Sequence, residues 1–451
     1  MKTTFGLALM LLSLPASGAG FPDLVVPAGM GVNIHFNRGH ERDLELIAAA
    51  GFKFIRMDLG WAGIERVKGQ YDWSAYDELT VNLEKRGLRA IYILDYSNPL
   101  YEETVSSRNP ITGGEQRDTA SPQHPESVAA FARWAAAAAA RYRGRPIIWE
   151  IWNEPNISFW KPKPDVQQYA ALALATCKAV RAAAPDALIV APATSEVPLK
   201  FLEPLFAAGV LAQIDAVSVH PYRSYSKAPE TAAEDYKKVR ALIERYAPNA
   251  RKRKMPILSG EWGYASHTKG VSLETQAAFL ARQQLANLLS GVPISIWYDW
   301  KNDGPDANER EHNFGTVTTD LQPKPAYVAA QTLARELAGF RIERRLAVGG
   351  EQDYLLVCAG PKGQRKLAAW TCGEAHAVVV GAKVKPVATI TAVASNGQGF
   401  HIQRKVRKSP DAGATIEAAQ PGGGRMLLSE NQFEVVLTAA PLYLTLEGVT
   451  F

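Results

Sequence analysis

The sequence predicts an α/β chain: a closed (β/α)8 barrel, the TIM barrel, followed by a small C-terminal antiparallel β-sandwich-like domain. Three observations predict it. From Met30 to about Gly339, short apolar runs alternate with helical stretches in an even rhythm. In almost every run the polar residues gather at the C-terminal end. After Phe340 the pattern changes to short alternating runs broken by Gly, Pro and Asn. Parallel strands buried on both faces read as continuous apolar runs, and eight of them separated by helices fit a closed barrel better than an open doubly wound sheet.

The first twenty residues carry Lys2, an apolar stretch from Phe5 to Leu14, and a small-residue exit through Ala16, Ser17, Gly18, Ala19 and Gly20. That is the pattern of a secretory signal over residues 1–19, with cleavage after Ala19 or, as second choice, Ala16. The expected location is therefore secreted or periplasmic. The barrel is expected over 20–340. Its eight runs are GVNIHF (31–36), FKFIRMDL (52–59), RAIYILDY (89–96), IIWEIWNEP (147–155), ALIVAPA (187–193), IDAVSVHPY (214–222), MPILSGEWGY (255–264) and PISIWYDW (293–300). Helical periodicity falls between them over 41–50, 76–86, 125–141, 166–184, 231–245 and 273–289. Residues 341–451 hold DYLLVCAG, KLAAWT, HAVVV, PVATITAV, FEVVLTA and LYLTLEG, which read as antiparallel strands. Trp370 and Tyr354 there suit a packed core or a carbohydrate platform, packing being the ordinary use. Gly422–Gly424 reads as a surface loop.

Composition limits the partners. The chain has 451 residues, 47% hydrophobic and 21% charged, which excludes general disorder and a collagen-like chain. A net charge of +5 comes without a basic stripe, since the run Arg251–Lys254 simply precedes an apolar strand, so nucleic acid is not an expected partner. After the leader no segment reaches the roughly 18 apolar residues of a membrane span. A monomer is expected. Of the three cysteines, Cys177 lies in a helical pattern and reads as a buried free thiol, whereas Cys358 and Cys372 flank a Gly-containing turn and could pair across a hairpin. No zinc spacing or dinucleotide motif occurs, so no cofactor or metal is expected. The acidic loop 301–315, with His312, matches no known calcium loop.

The polar residues at the strand ends outline a cleft on one barrel face: His35, Arg56 with Asp58, Asp95, Asn153 with Glu154, His220 with Tyr222, Glu261, and Trp297 with Asp299. Two carboxylates stand out. Glu154 in WEIWNEPN and Glu261 in ILSGEWGY each end an apolar strand among aromatics, where an unpaired charge is costly. The fourth and seventh strands lie roughly opposite one another, so these side chains can face each other. Cleaving a glycosidic bond needs such a pair, one acid and one carboxylate. Arg56 is the candidate for holding one of them ionised, and Trp61, Trp152, Trp262, Trp297 and Trp300 are expected to stack on sugars. Glu150, four residues before Glu154, lies about 13 Å deeper in the barrel and is expected to be a structural partner. The long loop 107–126 is expected to wall one end of the cleft.

WEIWNEPN, followed 107 residues after Glu154 by a strand-borne Glu in SGEWG, resembles the clan of retaining (β/α)8 glycoside hydrolases. It is most similar to glycoside hydrolase family 39, with family 5 as the alternative. The resemblance implies a retaining O-glycosyl hydrolase with Glu154 as acid/base and Glu261 as nucleophile. It further implies that Asn153 bonds the sugar 2-hydroxyl, that Arg56 orients Glu261, and that His220, Tyr222, His35, Trp297, Trp262 and Trp61 contact substrate. For His35 and His220 a purely structural role is the competing reading. The loops after the first, second and seventh strands are modest, which points to an open groove and endo-action on a polysaccharide. The competing readings are an exo-acting β-xylosidase-like enzyme and an inactive glycan-binding barrel.

Overall fold

The computed structural model describes residues 20–451 apart from 110–112, 252–253, 406–415, 420–424 and 429–430. The expected leader and Gly422–Gly424 lie outside the described residues. Strands β1 (Met30–Asn33), β2 (Phe54–Gly60) and β3 (Arg89–Asp95) open the barrel, and an antiparallel hairpin, β4 (Thr104–Arg108) with β5 (Glu115–Thr119), is inserted after them. The barrel continues through β6 (Ile147–Ile151), β7 (Leu188–Ser195), β8 (Ala216–His220), β9 (Ile257–Trp262) and β10 (Ser295–Trp297), and β10 pairs with β1 to close it.

Each barrel strand coincides with a predicted run because it is buried on both faces. Phe54, Ile91, Ile148 and Leu258 pack inside, while their neighbours Ile55, Tyr92, Trp149 and Ile257 pack against the helices. Burying one such side chain stabilises by about 1.5–3 kcal/mol, so apolar residues recur on both faces of the strands. The helices around the barrel are α1 (Glu41–Ala49), α2 (Trp61–Ile64), α3 (Ser74–Glu84), α4 (Pro125–Arg141), α5 (Val166–Ala183), α6 (Leu199–Ala207), α7 (Ala232–Tyr246), α8 (Leu273–Leu289) and α9 (Pro325–Glu336). Their ends follow local chemistry. Asp165 caps α5 by accepting from the amides of Gln167 and Gln168, Ser272 caps α8 through Thr275, and Pro125 starts α4. A side-chain cap of this kind contributes about 1 kcal/mol. Helices α2, α6 and α9 join the six expected ones.

From Arg341 the chain forms two antiparallel sheets. One holds β11 (Arg341–Arg345), β12 (Asp353–Ala359), β13 (Arg365–Thr371), β20 (Leu442–Thr450), β15 (Lys383–Ala394) and β16 (Gly399–Lys405), in that spatial order. The other holds β14 (His376–Gly381), β19 (Gln432–Leu437), β18 (Arg425–Leu428) and β17 (Ile416–Ala419). Period-two alternation divides their burial. Leu355, Leu367 and Leu444 face the second sheet, whereas Leu356, Trp370 and Tyr443 belong to the core of the barrel and its helices. Trp370 is thus core and no sugar platform. It is stacked on Tyr354 at 5.0 Å, and its indole donates to Glu230, which also holds buried Arg282 of α8.

The possible Cys358–Cys372 bridge does not form. In the β12–β13 ladder Cys358 pairs with Lys366, and Cys372 lies beyond Thr371, which pairs with Asp353 at the far end. All three cysteines are free, and Cys177 is buried as expected.

Candidate active site

Glu154 and Glu261 are brought together by two local departures from regular strand geometry. Just beyond β6, Trp152 and Glu154 adopt left-handed backbone at φ 66° and 49°. A non-glycine residue there costs about 1–2 kcal/mol. The amides of Trp152 and Glu154 offset it by bonding the carbonyls of Leu94 and Ala193. On β9, the step from Ser259 to Trp262 is matched on β10 by the shorter step from Ser295 to Trp297, so a bulge turns Glu261 into the cleft. Gly260 beneath it is required by close approach, because a Cβ there would stand 2.3 Å from Ser218 Oγ.

Arg56 at the floor ties the cleft together. Buried to 1% exposure, it bonds Glu150 Oε2 and Glu261 Oε2, each at 2.6 Å, Asn33 Oδ1 at 3.2 Å and Asn153 Oδ1 at 2.8 Å. Glu150 also accepts from Ser218 Oγ at 2.6 Å and is a structural partner below the cleft. Glu261 receives a second donor, the Tyr222 hydroxyl, at 2.8 Å. Glu154 sits in a different environment. Burial pushes its carboxyl up to about 7, against the opposing charge of Arg56. Its Oε1 lies 2.9 Å from His220 Nδ1, and burial pushes that imidazole down to about 4, so it is neutral at neutral pH. One oxygen of each glutamate and a His220 nitrogen lie within 4.8 Å of one another. Retaining glycosidases hold their carboxyls about 5–5.5 Å apart, and inverting ones about 6.5–9.5 Å.

Of the expected substrate contacts, Asn153, Arg56, His220 and Tyr222 join this network, and Asn153 also donates to the Tyr96 hydroxyl at 3.0 Å. His35 stands exposed at the cleft's edge, 3.1 Å from Asp299. Burial works against its protonation, but the charge and hydrogen bond of Asp299 prevail and raise it to about 9. Among the described residues, the groups whose ligand atoms converge closely enough to hold a cation are His35–Asp299–Asp303 and the Glu154–His220–Glu261 set itself. The acidic loop contributes only Asp303 to them.

The tryptophans do not line the cleft. Trp61, Trp152, Trp262, Trp297 and Trp300 are all buried below 2% exposure. Trp61 on α2 packs on Tyr101 and Trp134 and donates to Glu65, and Trp300 donates to Asp43. Trp262 is turned outward by the bulge, towards Tyr264 and Arg223. Trp297 follows inward-facing Ile296, so it points to the helices, where its indole bonds the Phe314 carbonyl. The next residue, Tyr298, has the inward parity and was missed by the sequence reading. It is half-buried, edge-on to His35 at 5.7 Å, and its phenol is pushed up by burial and then by the charges of Asp299 and Glu261. Counting alternate residues from Ile294 and Ile296 would have found it.

Two depressions border the cleft. One, about 330 Å³, is lined by Tyr96, Phe159 and Lys161 with Gln116 and Asp118 of β5, so the long loop after β3 does wall this end. The other, about 320 Å³, is lined by His35, Asp299 and Asp303. A further groove, about 960 Å³, lies away from the chemistry, between α7, α8 and the C-terminal sheet.

The chain resembles known proteins in two ways. No curated protein matches it. Among solved structures, a family 39 glycoside hydrolase from Bacteroides cellulosilyticus is similar with a TM-score of 0.74 and 23% identity, covering 93% of this chain and 81% of that one. A monomeric β-xylosidase from Caulobacter crescentus (TM-score 0.57, 16% identity) and a family 30 xylanase from Clostridium acetobutylicum (0.56, 14%) each cover 93% of this chain and 96% of theirs. These likenesses show the fold. The model of the cellulase family, glycosyl hydrolase family 5, matches residues 18–304, well over half the chain. The chain therefore belongs to the cellulase family, glycosyl hydrolase family 5, and is a glycoside hydrolase of the retaining clan.

Proposed function

We propose that the protein is a secreted endo-β-glycosidase that hydrolyses a polysaccharide by double displacement, with Glu154 as acid/base and Glu261 as nucleophile. The observation that carries this is the contrast between two carboxyls within 4.8 Å. Glu154, buried on a neutral imidazole, keeps a proton to about pH 7. Glu261 is held by a guanidinium and a phenol that leave its attack direction defined. In the first step a Glu261 oxygen bonds the anomeric carbon as the glycosidic C–O bond breaks, and the Glu154 proton passes to the departing oxygen. In the second, Glu154 takes a proton from water, the water oxygen bonds the anomeric carbon, and Glu261 leaves. Asn153 bonds the 2-hydroxyl, Arg56 and Tyr222 orient Glu261, and Tyr298 takes the place expected of Trp297.

Endo-action is supported by the depressions on both flanks of the pair, and secretion by the leader-like first nineteen residues. Mass-resolved product profiling on xylans, β-glucans, mannans and bacterial exopolysaccharides, with Glu154→Gln alongside, tests the reading. An early ladder of oligosaccharides, lost in the variant, is expected. Exclusive release of one small sugar would replace it with the exo-acting, β-xylosidase-like reading. Amino-terminal sequencing of exported protein is expected to begin at Gly20.

A further inference from the structure

Beside the Arg56 network stands a second pair of carboxyls. Asp58 on β2 and Asp95 at the end of β3 share the inward parity of Arg56, and in the parallel register Asp58 lies level with Ile93 and Asp95 level with Gly60. Both therefore reach the cleft rim just above Arg56. Asp95 is fully buried, and among the described residues neither of its oxygens receives an N–H or O–H. Arg56 directs its bonds to Glu150, Glu261, Asn33 and Asn153. Asp58 is half-buried, and its charge reaches both His35 and Asp95. Burial and then the Asp58 charge keep a proton on Asp95 well above the usual carboxylate range, with Arg56 opposing and Glu150 adding to the effect. A buried carboxyl with no donor of its own is costly. It is satisfied if its proton is given to Asp58, which leaves Asp58 fixed as an acceptor facing the cleft.

We propose that Asp58 and Asp95 form a carboxyl dyad that reads the sugar ring held at Glu261: Asp58 accepts a hydrogen bond from the ring's 3-hydroxyl, and Asp95 donates to Asp58 and positions it. The step rests on the glycosidase reading, in which Asn153 takes the 2-hydroxyl. Asn153 is bonded to Tyr96, the residue after Asp95, so the next substituent round the ring meets the β2–β3 wall. A ring whose 3-oxygen carries the preceding sugar has no proton to give there. The dyad thus selects a backbone with a free 3-hydroxyl, such as a 1,4-linked one, and rejects a 1,3-linked one.

The test compares kcat/KM on cellotetraose, xylotetraose and mannotetraose with laminaritetraose for the full chain and four variants. The wild type is expected to favour one of the 1,4-linked tetraoses by about tenfold or more, the size of a lost charge-assisted hydrogen bond. Asp58→Ala is expected to bring that preference close to one, and Asp58→Leu, which also lacks an acceptor, serves with the same expectation if the alanine variant does not fold. Asp95→Asn keeps a donor towards Asp58 and is expected to retain the preference, whereas Asp95→Leu is expected to lose it. A wild-type preference for laminaritetraose, an unchanged preference in Asp58→Ala, or equal behaviour of the Asn and Leu variants at 95 would overturn the dyad. So would inertness towards all three 1,4-linked tetraoses in a protein whose Glu261 is labelled by a 2-fluoro glycoside. Absence of that label would instead overturn the glycosidase reading.

Discussion

Glu154→Gln should make the protein more stable, and only at the pH where the enzyme is expected to work. Burial raises the carboxyl from an ordinary 4.5 to about 7, which corresponds to about 3 kcal/mol at about 1.4 kcal/mol per tenfold. The sign follows from proton binding. Below pH 4.5 the folded and unfolded chains both hold the proton, and Glu154 contributes no difference. Between 4.5 and about 7 the folded chain keeps a proton that the unfolded chain has released, so stability falls as pH rises. Above 7 the whole cost is present. Glutamine fills the same space, can still bond His220 Nδ1, and carries no such cost. Guanidinium denaturation of wild type and variant at pH 4, 6 and 8 is expected to give a stability gap that grows by about 3 kcal/mol from pH 4 to 8 in favour of the variant. A gap that stays flat with pH would refute the buried-acid argument, whatever the variant does to catalysis.

Other substitutions separate packing from chemistry. Arg56→Met removes the partner of both Glu150 and Glu261 and is expected to destabilise by about 3–5 kcal/mol, read as a lower melting temperature with activity abolished. Tyr222→Phe removes the second donor to Glu261; kcat should fall about tenfold or more while the melting temperature holds. Tyr298→Ala is expected to raise KM with little loss of stability, whereas Trp297→Phe should lower the melting temperature and leave KM nearly unchanged. The reverse outcome would restore Trp297 to the cleft.

All eight barrel strands and six of the surrounding helices were legible because two-sided burial writes itself as continuous apolar runs, and helix ends such as Asp165 and Pro125 carry their own chemistry. The two carboxyls that meet in the cleft were legible for a related reason: a Glu closing an apolar strand demands a partner. What could not be read was side-chain direction where strands stop being regular. The bulge at Glu261 turns Trp262 away, and simple parity turns Trp297 out and Tyr298 in, so aromatic content near the cleft was mistaken for cleft lining. Arg56 was assigned to Glu261 alone; its equal contact with Glu150 depends on two strands whose distance apart no sequence pattern reports. The Cys358–Cys372 pairing failed likewise, since only the ladder register shows that they sit at opposite ends of a hairpin.

In the proposed mechanism Glu261 is the nucleophile and Glu154 its acid/base. Incubation with an activated 2-deoxy-2-fluoro glycoside, followed by proteolysis and mass spectrometry, tests it most directly, because the fluorine slows the second displacement and leaves the first bond in place. A single sugar-bearing peptide is expected, with the modification on Glu261. Labelling on Glu154, Glu150 or any other residue would contradict it.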